Sequence, residues 1–261
     1  MEFINSGRPP LAGWLGGKST VAKQIIELLP DHSCYVEPFA GAAWILFRKT
    51  ESKSEVINDI NKDITTLYRV VKYHLEEFIR YFKWSLVARD EFERLKGENP
   101  ESLTDIQRAA RFYYLHHCSF NGRVYNQSFR YKTTGSPGLN LLRIEEQLSE
   151  AHLRLSRVYI ECLPYSDLIE RYDRPDTCFY VDPPYWGIED YYGKNIFNRE
   201  DYSRLAEQLK RIKGKFIMSI NDAPEIRDLF QWARLEMLGI KYSCVSKGKK
   251  KAANELLIMN W

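Results

Sequence analysis

CYVEPFAGAAWILFRK, Cys34–Lys49, decides the fold class. Its first six residues read as a short buried strand, and "GAAWILFRK" (41–49) reads as a helix. Pro38 and the small residues 40–43 mark where strand gives way to helix through a tight turn. A second apolar run, "EVINDI" (55–60), follows as another short strand. Upstream, "GGKSTVAKQIIELL" has helical spacing at Val21, Ile25, Leu28 and Leu29, with Ser19 as its expected cap.

The last third alternates in the same way. "RVYIEC", "TCFYVDPP", "GKFIMSIN" and "ELLIMNW" are strand-like, and "REDYSRLAEQLKRI" is helical. Strands alternating with helices predict an α/β fold with an open, largely parallel sheet. The middle departs from that alternation. Ile64, Leu67, Tyr68, Val71, Leu75, Phe78, Ile79 and Phe82 share one helical face, and a further helix is expected over about 104–117. "CSFNGRVYNQSFRYKTTGSPG" then breaks into turn chemistry at Asn121-Gly122 and at Gly135, Pro137 and Gly138. Residues 62–155 therefore read as a mainly helical insertion carrying a basic, aromatic hairpin or loop, within a domain made of 1–61 and 156–261.

The chain has 261 residues and 44% hydrophobic content, enough to bury a core. It holds no apolar run of transmembrane length, and its first residues lack the order of a signal peptide. The five cysteines, at 34, 118, 162, 178 and 244, are scattered and form no C-x-x-C pair. That pattern predicts reduced thiols, with neither a zinc site nor a disulfide framework. A net charge of +3 says little, but its distribution says more. From Ile106 to Ile144 there is no acidic residue, while six basic residues (Arg108, Arg111, Arg123, Arg130, Lys132, Arg143) interleave with seven aromatic ones. Cations among rings suit nucleic acid, charge for phosphates and rings for bases. An ordinary helix with a tyrosine-rich core face would give the same pattern.

Two stretches carry chemistry. "YVEPFAGAA" (35–43) offers a small-residue turn at a helix start, where backbone N–H groups are free to meet a ligand. It is neither a G-x-G-x-x-G nor a P-loop pattern, and "GGKST" (16–20) has its glycines adjacent to the lysine. Asp59 comes 18 residues after Gly41, at the end of the second strand. An acid at about 20 residues' distance accepts from ribose hydroxyls in nucleotide-binding sheets. The other reading of Asp59 is a cap for the helix that follows.

"FYVDPPYWG" (179–187) sets an aspartate, two prolines and a tyrosine at the end of a buried strand. Parallel strands deliver such residues to the ligand crevice. A ring-conjugated amine such as adenine N6 is a poor nucleophile. Asp182 and the carbonyl of Pro183 could hold its two hydrogens, with the prolines fixing the acceptors in place. Tyr185 would stack on the base, which reaches such a pocket only by leaving the helix stack.

The ordered set "WLGGK", "VEPFAGAA", "VINDIN", "FNG" and DPPY, with the ending "GKKKAANELLIMNW", resembles the Dam-type (D12 class, alpha group) DNA adenine-N6 methyltransferases along nearly the whole chain. The resemblance implies a Rossmann-like S-adenosylmethionine-dependent methyltransferase sheet with an inserted target-recognition domain. It implies that Trp14, Lys18, Phe39, Ala40, Gly41, Asp59 and Asp182 bind S-adenosyl-L-methionine. Asp182, Pro183, Pro184 and Tyr185 would hold the flipped adenine. Phe120, Asn121, Arg123, Asn126, Arg130 and Lys132 would contact double-stranded DNA. No metal and no membrane are implied, the setting is the cytoplasm of a bacterial or phage-infected cell, and a cognate restriction nuclease is a compatible partner. Three departures stand out: Ala43 where a second glycine is common, Gly13 where a lysine often precedes the tryptophan, and a loop after Gly122 unlike the GATC-reading hairpin. The first implies a small loss of backbone freedom, and the other two predict relaxed base discrimination. The competing readings are an RNA or protein-glutamine methylase, against which Asp182 argues, and a catalytically silent DNA-binding protein, against which the intact Asp59 and Asp182 argue.

Overall fold

The computed structural model describes residues 7–14, 16–120, 127–131, 138–189, 196–238 and 255–261. The strands are β1 (Cys34–Glu37), β2 (Ser54–Asn58), β3 (Val158–Glu161), β4 (Thr177–Val181), β5 (Lys215–Asn221), β6 (Arg234–Leu238) and β7 (Glu255–Met259). They form one sheet in the order β3-β2-β1-β4-β5-β7-β6. β1 runs parallel to β2 and β4, and β4 parallel to β5. β7 is antiparallel to both β5 and β6. The expected α/β fold with a mostly parallel sheet is therefore present. It has an antiparallel end and one strand, β6, that the sequence pattern does not reveal.

The helices are α1 (Ala22–Leu28), α2 (Trp44–Arg48), α3 (Lys62–Tyr73), α4 (Leu75–Phe82), α5 (Arg89–Gly97), α6 (Asp105–Cys118), α7 (Ile144–Leu155), α8 (Tyr165–Tyr172), α9 (Arg199–Arg211) and α10 (Pro224–Leu229). Among the described residues none is long and apolar enough to cross a membrane. The chain divides into two compact units, one of residues 1–19, 41–50 and 59–162, the other of 20–40, 51–58 and 163–261. The first contains all of 62–155 and extends beyond it.

In the second unit β4 is buried at every position, the pattern of a central strand covered on both faces. Phe179 and Val181 of β4 pack with Phe216 and Met218 of β5 and with Tyr202, Leu205 and Leu209 of α9. Each such buried side chain contributes about 1.5–3 kcal/mol. A capping box between Asn198 and Asp201 starts α9. α1 begins later than expected: its N-cap is Val21, with no side-chain cap bond. Ser19 lies too far upstream to cap it, and its carbonyl accepts from the Arg48 guanidinium instead.

In the first unit the apolar face over 64–82 breaks at His74 (φ −135°, ψ 35°) into α3 and α4. Phe78 and Phe82 pack edge-on against Tyr113 of α6. α6 opens on a capping box of Thr104 and Gln107. Phe112, Tyr113 and Tyr114 are buried, so this part of the basic, aromatic stretch is a tyrosine-rich core face. Its cations are engaged internally. Arg108 pairs with Asp63 at 2.5 Å and Glu101 at 2.9 Å, and Arg111 donates to the carbonyls of Leu95 and Lys96.

Candidate active site

In the first unit the turn at Gly41 is gripped from both sides. Its N–H donates to Asp59 Oδ2 at 3.0 Å, and its carbonyl accepts from Tyr68 Oη of α3 at 2.8 Å. The turn needs glycine: φ is +47°, and an added Cβ would lie 3.0 Å from Trp14 Nε1. The Trp14 indole thus lies against Gly41. Its other neighbours are rings of α6, His116 at 5.6 Å and Phe112 at 6.5 Å. Ala43 follows in the left-handed region (φ 52°, ψ 40°), where a glycine would be unstrained. Lys18 is buried, with Nζ donating to the Gly16 carbonyl at 3.0 Å. Gly13 sits at φ +98°, a conformation a lysine would rarely adopt.

Asp59 does not cap α3. The cap is Asn61, whose side chain accepts from Asp63 N–H at 2.9 Å. Asp59 instead accepts the Gly41 amide on one oxygen and the Asn61 amide, at 2.9 Å, on the other. Burial pushes its carboxyl up to about 6, against the pull of those two amides. A carboxylate offers about four lone-pair positions, so acceptor capacity remains for hydroxyl donors.

In the second unit Asn58, buried at the end of β2, ties three segments together. Its amide donates to the carbonyls of Pro38 and Leu163 and accepts from Leu163 N–H at 2.8 Å. Ala40 N–H donates to the Asn58 carbonyl at 2.8 Å. Phe39 is half-buried between Tyr165, at 5.3 Å, and Phe197, at 5.7 Å, an aromatic cluster that the sequence pattern does not single out.

Asp182 follows the last residue of β4, and its neighbours hold it. Ser219 Oγ donates to Asp182 Oδ1 at 3.2 Å, and Ser219 in turn meets Tyr180 Oη at 2.8 Å. Pro183 and Pro184 are buried. The Pro184 carbonyl accepts from Tyr202 Oη at 2.8 Å, whereas no described residue donates to the Pro183 carbonyl. Asn221 accepts from Trp186 N–H at 2.8 Å and donates to the Trp186 carbonyl. Tyr185 Oη donates to Glu255 Oε1 at 2.6 Å. Asp182 to Tyr185 thus stand together, braced by Tyr180, Tyr202, Ser219, Asn221 and Glu255. Only one of these braces leaves a signal in the sequence: Glu255 is a lone acid opening an otherwise apolar strand.

Of the residues expected to contact DNA, Phe120 and Arg130 are described, in the first unit. Segments 118–120 and 128–130 pair antiparallel through a Ser119–Phe129 bridge. Phe129 turns inward onto Phe92, while Phe120 and Arg130 are exposed. Asn121, Arg123, Asn126 and Lys132 lie outside the described residues.

The chain matches the family described as D12 class N6 adenine-specific DNA methyltransferase over residues 14–243. It is 28% identical to the DNA adenine methylase of Escherichia coli K12, covering 94% of this chain and 93% of that one. It is 30% identical to type II methyltransferase M.CviBI of Paramecium bursaria Chlorella virus NC1A, over 85% and 86% of the two chains. It is 29% identical to type II methyltransferase M.MjaIII of Methanocaldococcus jannaschii, over 97% and 99%. With a family match spanning most of its length and a mostly parallel sheet ending in a braced DPPY, this chain belongs to the D12 class N6 adenine-specific DNA methyltransferases.

Proposed function

We propose that the enzyme transfers the methyl group of S-adenosyl-L-methionine to N6 of an adenine turned out of double-stranded DNA. The observation that carries this reading is the pair of acceptors at the end of β4. The Asp182 carboxylate is oriented by Ser219, and the Pro183 carbonyl is fixed between two prolines and takes no donor from the described residues. Two acceptors on adjacent residues, stiffened by the prolines, suit the two hydrogens of an exocyclic amine. Asp182 holds one N6 hydrogen and stabilises the positive charge that grows on the nitrogen as it is methylated, a charge that is lost when N6 gives up one of its two hydrogens as a proton. Because Ser219 and Tyr180 set that carboxylate in advance, little reorganisation is needed during reaction. Tyr185 supplies a ring for the base to stack on.

The donor set also fits the cofactor. When bound, it supplies a methyl group on a positively charged sulfur. In the first unit Asp59 accepts ribose hydroxyls, Trp14 and the glycine turn at Gly41 admit close backbone approach, and Lys18 lines the same loop. In the second, Phe39 and Ala40 shape the end of β1. Phe120 and Arg130 contact DNA from the antiparallel pair of 118–120 and 128–130, together with Asn121, Arg123, Asn126 and Lys132. Base discrimination is relaxed and the setting is cytoplasmic, with a restriction nuclease as a compatible partner. Calorimetric titration with S-adenosylmethionine tests cofactor use. Tritiated methyl transfer offered to DNA, RNA and protein tests the acceptor. Label recovered in RNA or protein and absent from DNA would overturn the reading.

A further inference from the structure

β7 is five residues long and wholly buried: Leu256, Leu257, Ile258, Met259 and, opening it, a carboxylate, Glu255, that is 2% exposed. A buried carboxylate is costly unless strong hydrogen bonds compensate it. One such bond comes from the tip of Tyr185. The Oη–Oε1 distance of 2.6 Å falls in the range of charge-assisted O–H···O bonds. In register, Glu255 lies directly opposite Asn221 of β5, whose side chain clasps both backbone groups of Trp186. Paired residues of β5 and β7 therefore grip successive residues of one loop.

We infer that Glu255 is a positioning residue for the methylation reaction: by accepting from Tyr185 Oη it presets the position of the ring on which the target adenine stacks. The inference rests on the stacking role given to Tyr185 above. The backbone on either side of Tyr185 is already fixed by the two prolines, by Tyr202 on the Pro184 carbonyl and by Asn221 on Trp186. A fixed backbone still leaves the side chain a choice of staggered χ1 rotamers, each of which carries the ring and its Oη to a different place. A bond at the far end of the ring selects one of those positions before the base arrives. Pre-set geometry lowers the cost of reaching a reactive arrangement. Such a contribution enters kcat, whereas simple support of the fold would lower stability and both binding constants together.

The test is a double-mutant cycle on the full-length enzyme with unmethylated plasmid DNA. It measures kcat, the KM for DNA and for S-adenosylmethionine, and the thermal midpoint. Tyr185→Phe keeps the ring and deletes the donor. Glu255→Gln keeps an acceptor, and Glu255→Leu removes it. Tyr185→Phe and Glu255→Leu should each lower kcat about tenfold with both KM values within about twofold, since a misplaced reactant loses rate rather than affinity. Glu255→Gln should stay within about threefold of wild type, and the double variant should lose about tenfold, because one bond is counted once. A double variant whose losses multiply to about a hundredfold would overturn the inference. So would a Tyr185→Phe enzyme with wild-type kcat, a comparison that stands even where Glu255→Leu does not fold. Failure of the wild-type enzyme to form N6-methyladenine would instead strike the proposed function.

Discussion

Asp59 is a carboxyl whose ordinary value of 3.8 is raised by burial to about 6 in the folded protein. Between those values the unfolded chain is ionised while the folded protein holds the proton, so ionising Asp59 weakens the fold as pH rises through that window. Cofactor binding follows the opposite sense. A ribose hydroxyl donates most strongly to the ionised form, so affinity for S-adenosylmethionine should fall as pH drops below about 6, approaching tenfold per pH unit. Calorimetry across that range should show the fall, and Asp59→Asn should flatten it. An affinity indifferent to pH in the parent enzyme would separate Asp59 from the cofactor. At this scale the sequence shows which residues carry chemistry better than it shows what holds them. Asp59, Asp182 and Tyr185 are legible as an acid at a strand end and a four-residue motif. Asn58, Ser219 and Glu255 act through partners 105, 37 and 70 residues away, and no local spacing encodes such a pairing.

The strand–turn–helix from β1 to α2 depends on one backbone conformation. Gly41 at φ +47° admits the Trp14 indole and offers its N–H to Asp59. Gly41→Ala should destabilise the fold by about 1–2 kcal/mol, the cost of a side chain in the left-handed region. The same change should weaken cofactor binding. Urea unfolding gives the first quantity, and an unchanged midpoint would show that the turn relaxes freely. Element types over long periodic stretches are readable in the sequence: α3, α6, α9, β4 and β5 all fall where their spacing puts them. Breaks and edges are less so. The face over 64–82 continues through His74 although the backbone bends there, because α3 and α4 pack separate segments against α6. β6 escapes because it is an edge strand with mostly half-exposed positions and no clean alternation. The antiparallel placement of β7 between β5 and β6 is a pairing choice that no window of sequence contains.

For the whole molecule, charge distribution decides how DNA is held. Much of the basic character of 106–144 is consumed inside the first unit, by the Asp63 and Glu101 carboxylates around Arg108 and by carbonyls around Arg111. Among the described residues the Arg130 guanidinium has no such partner. Replacing Arg123, Arg130 and Lys132 together should flatten the salt dependence of DNA binding, by roughly 0.9 in log–log slope for each phosphate no longer neutralised. A slope that stays put would show that this cluster faces away from the duplex. Glycine at position 13, which offers a base no side chain, and the short residues of 133–136 should also relax target choice, since each well-read base pair is worth roughly 1–3 kcal/mol. Sequencing of methylated plasmid should then find modified adenines outside any single four-base palindrome, and confinement to one would contradict this. The central claim is that Asp182 and its braced acceptor pair methylate adenine. Its most direct test compares the wild-type enzyme with Asp182→Ala on unmethylated DNA with labelled S-adenosylmethionine, by nucleoside analysis of the product. Wild type should place the label in N6-methyladenine, and the folded variant should lose about 100- to 1000-fold in rate. Near wild-type turnover by Asp182→Ala, or label in a nucleoside other than N6-methyladenine, would contradict the account.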